Sequence, residues 1–220
     1  MSNPIRVKIC GVTSQQSMRD IYDAGAQYIG LVFFDKSPRN VTFEQAQAIS
    51  QAAPRDLVKV ALTVDPDNGF LERLVNTVPL DMIQLHGRET PQRVSEIKQK
   101  TGMKVMKAIG LAEPEDLKTI DRYEGVADQI MVDAKPMEDA TLPGGNGFAF
   151  DWNILKEKRW STPWMLAGGL NPDNIAQAVK ITGARQIDVS SGVEASPGKK
   201  DREKVNAFIK AAQTADFLTA

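Results

Sequence analysis

Short apolar, β-branched runs alternate along the chain with longer stretches whose apolar positions recur every three or four residues. The runs at 5–9, 28–34, 57–64, 81–85, 103–109, 128–132, 164–167 and 186–189 predict strands. The stretches at 14–24, 42–52, 66–77, 90–101, 114–123, 172–182 and 201–217 predict helices, with a shorter one at 152–156. Helix starts are well marked. Thr42-Phe43-Glu44-Gln45 has the spacing of a capping box, and Glu113-Pro114 and Asn171-Pro172 place proline just inside a helix. The strands are apolar throughout rather than alternating, as expected where both faces of a parallel sheet are covered.

Strict strand–helix alternation implies parallel pairing through right-handed crossovers. An open doubly wound sheet and a closed barrel both satisfy it. Eight strands in 220 residues favour the single-domain α/β fold of a (β/α)8 TIM barrel. Without a Pro/Ser-rich linker or a shift in composition, residues 1–220 are expected to form one domain.

Composition narrows the partners. The chain is 42% hydrophobic and 25% charged, with a net charge of −1 and no long basic run, so nucleic acid is not an expected partner. No stretch approaches the roughly 18 apolar residues of a membrane span, and the first ten residues lack a signal-peptide core. A single cysteine, Cys10, cannot form an internal disulfide, and together these features predict a cytoplasmic protein. With His86 the only histidine, a zinc site would need an unusual carboxylate-rich ligand set, so no metal is expected.

In such a barrel the chemistry lies at the carboxyl ends of the strands. Polar residues crowd there: Cys10-Gly11, Asp35 to Arg39, Thr63-Val64-Asp65, Gln84-Leu85-His86-Gly87, Asp133-Ala134-Lys135, Gly168-Gly169 and Ser190-Ser191-Gly192. Gly168-Gly169 before a helix, with Ser190, Ser191 and Gly192 after the last strand, suits a phosphate held by backbone N–H groups. Gly144-Gly145-Asn146-Gly147 fits a loop that folds over the phosphate or merely a mobile connection. Cys10 fits a small buried hydrophobe as well as a nucleophile or base. Asp133 fits an acid or a helix cap, Arg39 a carboxylate fork or a solvated loop charge, and His86 a substrate contact or a satisfied core side chain. Asp188, inside a strand, requires a hydrogen-bonding partner near the site. Trp152, Trp160 and Trp164 are expected to pack.

Lys8-Ile9-Cys10-Gly11, Ser37-Pro38-Arg39, Gln84-Leu85-His86-Gly87, Leu166-Ala167-Gly168-Gly169-Leu170 with Pro172 and Asn174, and Asp188 to Glu194 followed by Pro197-Gly198-Lys199-Lys200-Asp201 resemble the phosphoribosylanthranilate isomerase family. The resemblance runs in order over nearly the whole chain. It implies a (β/α)8 barrel without a cofactor, acting in tryptophan biosynthesis on a small phosphosugar, as a monomer or homodimer. The reaction it implies is the Amadori rearrangement of N-(5'-phosphoribosyl)anthranilate to 1-(2-carboxyphenylamino)-1-deoxyribulose 5-phosphate. Carried over residue by residue, Cys10 is the general base, Asp133 the general acid and Arg39 the anthranilate-carboxylate ligand. Gly168, Gly169 and Ser190 to Gly192 become the phosphate clamp, with His86 and Asp188 beside the substrate. Two segments depart from the family pattern: the glycine-rich loop after strand 6, and Ala61-Leu62-Thr63-Val64-Asp65 where a more aromatic ending is usual.

The chemistry calls for such a pair. An acid must protonate the furanose ring oxygen, and a base must remove the C2 proton from the resulting imine. Asp133 would enter protonated, a state favoured by burial and by the substrate's anionic groups, and Cys10 would need surroundings that support a thiolate. The related aminoaldose–ketose isomerase of histidine biosynthesis is the nearest alternative. It should carry a second phosphate turn after strand 3 and a pair of aspartates, neither of which is visible here. A non-catalytic phosphosugar-binding barrel would need no Cys/Asp pair.

Overall fold

In the computed structural model, which describes residues 4–135, 144, 147 and 149–217, the strands close into a parallel barrel in sequence order. They are β1 (Arg6–Cys10), β2 (Tyr28–Phe33), β3 (Val58–Thr63), β4 (Met82–Leu85), β5 (Lys104–Leu111), β6 (Gln129–Ala134), β7 (Trp164–Leu166) and β8 (Gln186–Val189). Closure rests on β1, where Lys8 stands opposite Tyr28 of β2 and Asp188 of β8. The helices are α1 (Gln15–Asp23), α2 (Phe43–Ala52), α3 (Asn68–Thr77), α4 (Pro91–Thr101), α5 (Leu117–Asp121), α6 (Ile175–Thr182) and α7 (Arg202–Phe217). The closed sheet settles the choice between barrel and open sheet that the alternation left open.

Side chains alternate across each strand, and both faces are buried. Outward residues such as Ile9, Ile29, Leu31 and Ile83 join Met18, Ile49, Leu74 and Ile97 of the helices in the main core. Inward residues Val60, Met82, Met106, Met131 and Met165 fill the barrel itself. Each such side chain removed from water contributes about 1.5–3 kcal/mol. Above this plug, Cys10, Val32 and Leu62 form a separate apolar group flanked by Phe34 and Val64. The barrel is therefore packed below and open above.

Local rules explain the helix starts. Thr42 Oγ1 accepts from the Gln45 N–H at 3.2 Å while Gln45 Oε1 accepts from the Thr42 N–H at 2.9 Å, the reciprocal cap expected of that sequence. It fixes the exit of the loop that carries Arg39. Thr90 caps α4 with Pro91 behind it, and Gly102 ends that helix at φ 65°.

Several boundaries differ from expectation. β6 runs on to Ala134 because Asp133 and Ala134 keep register with Gly110 and Leu111 of a lengthened β5, so Asp133 lies in the strand and not beyond it. The segment at 114–123 opens as a 3-10 turn, Pro114–Asp116, and 152–156 is a 3-10 turn at Trp152–Leu155. The helix expected from Pro172 begins at Ile175. Asn171 Oδ1 accepts from the Asp173 and Asn174 N–H groups, and Asn174 donates to the Gly169 carbonyl, which makes Pro172 a turn residue. A hairpin of β9 (Glu194–Ser196) and β10 (Lys199–Lys200) precedes α7 and was not anticipated. At its tip Gly198 has φ +81°, and a Cβ there would lie 2.5 Å from the Pro38 carbonyl oxygen, so only glycine seats the hairpin against the Arg39 loop. Trp152 is buried, while Trp160 and Trp164 stack at 4.3 Å, so the tryptophans pack as expected. Among the described residues, no helix is long and apolar enough to cross a membrane.

Candidate functional site

The carboxyl ends of the strands border two adjoining hollows, each open to solvent at its mouth. The first has an apolar wall of Val32, Phe34, Leu62 and Val64, with Cys10, Arg39, Gln84, His86 and Asp133 around it. The second is lined by Gly168, Gly169, Leu170, Ser190 and Ser191. Asp133, Gly144, Asp188 and Ser190 border both, so the hollows form one elongated site.

Cys10 is 5% exposed and ends β1 beside Gly30 of β2. Its inward neighbour on the same strand, Lys8, is fully buried and donates to Asp188 Oδ1 at 2.8 Å. Burial pushes the Cys10 thiol above its ordinary pKa, with Asp188 adding to the rise, against the lowering pull of Lys8 and Lys200. Burial alone would depress the Lys8 ammonium, but Asp188 and Cys10 outweigh it and hold Lys8 above the ordinary lysine value. Asp188 thus has the hydrogen-bonding partner that its position in a strand required.

Across the mouth, Asp133 of β6 faces His86, with His86 Nε2 3.3 Å from Asp133 Oδ2. The Gln84 amide nitrogen lies 3.2 Å from His86 Nδ1; with that amide donating, the ring carries its proton on Nε2 and presents it to Asp133. Asp133 Oδ1 accepts from the Ala134 N–H at 2.8 Å. A Cβ on Gly144 would fall 2.6 Å from Asp133 Oδ2 and 2.9 Å from His86 Nε2, so the strand-6 loop touches this pair only because it is glycine there. Gly145 and Asn146 of the same loop lie outside the described residues.

Arg39 is not a solvated loop charge. It is 6% exposed, and Nε and Nη2 each donate at 2.8 Å to one oxygen of Glu194. Lys200 donates to the same carboxylate at 2.8 Å and to the Ser190 carbonyl at 3.0 Å. Burial would raise the Glu194 pKa, but the bonds from Arg39 and Lys200 overcome it and hold the carboxyl below its ordinary value. Burial depresses the Lys200 ammonium in spite of Glu194. Two cations share one anion here, which leaves this rim of the site positive. Glu194 occupies the Nε–Nη2 edge of the guanidinium.

The glycine turns interlock. Gly168 and Gly169 adopt φ +87° and +63°, and a Cβ at Gly168 would lie 2.5 Å from the Ala134 nitrogen. A Cβ at Gly192 would run into the Leu170 carbonyl, so the turns after β7 and β8 pack against each other as one cradle. The Ser190 hydroxyl is already engaged, donating to the Cys10 carbonyl at 3.0 Å and approached by Lys200 at 3.3 Å.

The structure brings Cys10, Arg39, His86, Asp133, Asp188, Gly168, Gly169, Ser190 and Ser191 to these hollows, while Gly192 supports the cradle from behind. Sequence reasoning missed the roles of Lys8, Gln84, Gly30, Glu194 and Lys200. A period-two count would have found the first two, since Lys8 shares a face with Cys10, and Gln84 with His86. Among the described residues, no group of three or more metal-ligating side chains comes together.

Known proteins resemble this chain over nearly its whole length. Residues 7–211 match the family described as N-(5'phosphoribosyl)anthranilate (PRA) isomerase. An N-(5'-phosphoribosyl)anthranilate isomerase of Ruegeria sp. is 54% identical over 210 residues, covering 95% of this chain and 98% of its own. The crystal structure of phosphoribosyl anthranilate isomerase from Thermotoga maritima superposes with a TM-score of 0.87 at 33% identity, covering 96% of this chain and 99% of its own. A phosphoribosyl anthranilate isomerase in complex with reduced 1-(o-carboxyphenylamino)-1-deoxyribulose 5-phosphate gives 0.82 at 31% identity, with coverage of 96% and 99%.

Proposed function

The chain belongs to the N-(5'-phosphoribosyl)anthranilate isomerase family, and from that premise we propose how its residues divide the reaction. It is an intramolecular oxidoreductase of the aldose–ketose type, isomerising N-(5'-phosphoribosyl)anthranilate in tryptophan biosynthesis. Asp133 gives its proton to the furanose ring oxygen as the C1–oxygen bond breaks and the nitrogen lone pair forms the C1=N bond. The Cys10 thiolate then takes the C2 proton, and that electron pair becomes the C1=C2 bond of the enolamine. Tautomerisation of the enolamine yields the 2-keto product, and proton exchange restores both groups. Acid and base of this kind typically contribute about 10²–10⁴-fold each.

One observation carries the assignment: Cys10 of β1 and Asp133 of β6 line the same hollow, with β7 and β8 between them on one side of the barrel. The apolar wall of Val32, Phe34, Leu62 and Val64 suits the anthranilate ring, and Arg39 its carboxylate. The glycine cradle suits the single phosphate, held by backbone N–H groups. Ends clamped in this way fix the reacting carbons between acid and base. At the end of β3, where a substrate with two phosphates would need a second turn, Leu62 and Val64 form part of the apolar wall. That speaks against the histidine-pathway substrate. The near-zero charge and the lack of a basic run support a small-molecule partner rather than nucleic acid; a cytoplasmic monomer or homodimer remains part of the proposed reading.

The test follows the loss of fluorescence when freshly made phosphoribosylanthranilate meets the protein. Wild-type protein should convert it, and Cys10→Ala should bind it with little turnover. Binding without turnover by the wild type would instead mark a non-catalytic phosphosugar barrel.

A further inference from the structure

Lys8 lies inside the barrel and lines neither hollow. It is 0% exposed, lies one pleat below Cys10 on β1, and points into the barrel opposite Asp188. Burying an ammonium is costly, and a single carboxylate contact at 2.8 Å is a thin return unless the charge serves something else. The something else is beside it. A Cβ built on Gly30 would lie 2.8 Å from Cys10 Sγ and 3.2 Å from Lys8 Nζ, so thiol and ammonium converge on the space that this glycine leaves empty.

We propose that Lys8 is a positioning residue that holds the Cys10 thiolate from beneath the substrate, while Asp188 anchors the ammonium and Gly30 keeps the contact open. The charges around the thiol divide clearly. Lys8 on its own strand and Lys200 of the β9–β10 hairpin favour the thiolate, whereas Asp188 of β8 and burial oppose it. Arg39, His86 and Asp133 stand around the same hollow. A substrate bearing a phosphate and a carboxylate would add negative charge above Cys10, so a cation that the substrate can neither displace nor neutralise is best placed below. The inference rests on Cys10 as the base only for its catalytic meaning.

Cys10 is the sole cysteine in the chain, so iodoacetamide labels one thiol, and the pH dependence of labelling reads its thiolate directly. Lys8→Met should move the labelling midpoint upward by about one unit, making labelling below the midpoint about tenfold slower. Because Lys8→Met strands a buried carboxylate and can cost folding, the comparison is repeated in the Asp188→Asn background. There the single substitution should lower the midpoint, and adding Lys8→Met should raise it again by a similar step. A midpoint that does not rise when Lys8 is lost, in whichever background folds, overturns the proposal. If the midpoint rises while the acid limb of kcat/KM stays in place, Lys8 still governs the thiol. It is then the assignment of Cys10 as base that falls.

Discussion

Of the lysines on barrel strands that are buried against a carboxylate, Lys8 and Lys107 do opposite things. Lys107 of β5 points outward, toward the helices, and its ammonium is surrounded: Leu85 and Gly87 carbonyls at 3.3 and 2.8 Å and Glu89 at 2.9 Å. Glu89 in turn accepts from the Asp65 and Gly87 N–H groups, and Tyr123 closes the group by donating to the Glu89 carbonyl at 2.8 Å. Lys8 points inward, meets one carboxylate oxygen, and has a thiol at its other side. A buried charge whose bonds are all spent on loop carbonyls and a carboxylate that itself braces the loop holds that loop in place, here the turn that carries His86. One left with a reactive neighbour tunes chemistry. The inner face of the sheet should therefore govern rate, and the outer face stability.

Substitutions can break that division. The largest effect is expected at the inner face. Cys10→Ala and Asp133→Asn should each lower kcat by about 10²–10⁴-fold, with melting temperature close to wild type. Near-normal turnover in Cys10→Ala would remove the base, and a rise in KM alone for Asp133→Asn would make that carboxylate a binding group. At the outer face, Lys107→Met should destabilise the fold by about 3–5 kcal/mol in urea titration, because it leaves Glu89 buried and unpaired. The kcat of the folded fraction should fall far less than for any inner-face change; a loss of kcat without a loss of stability would erase the distinction. The smallest effect belongs to the rim. Arg39→Ala should mainly raise KM, measured by steady-state kinetics, and an unchanged KM would hand the carboxylate to another group.

The barrel was legible because its strands are buried on both faces and so read as mostly apolar runs between well-capped helices. The strand-end rule then collected Cys10, His86, Asp133 and the glycine turns without any knowledge of contacts. What stayed hidden was pairing through space. Lys8 and Asp188 come together only when β8 closes onto β1, and Arg39 meets Glu194 only through a hairpin whose short strands carry no apolar pattern. Arg39 accordingly read as an open choice, when its own carboxylate partner lies far along the chain. The late start of α6 was hidden for a local reason: Asn171-Pro172 suits a helix entry and an Asx-type turn equally well, and the Asn174 bond to Gly169 decides for the turn.

We assign removal of the C2 proton to the Cys10 thiolate, supported from below by Lys8 and sharing a hollow with Asp133. The most direct measurement sets the pH dependence of wild-type kcat/KM beside that of Cys10 alkylation. Since burial raises the thiol, both curves should climb as pH increases past neutrality and share one midpoint, and that limb should vanish from the residual activity of Cys10→Ala. A rate limb that keeps its place without the thiol, or titrates well below the alkylation midpoint, would contradict the account.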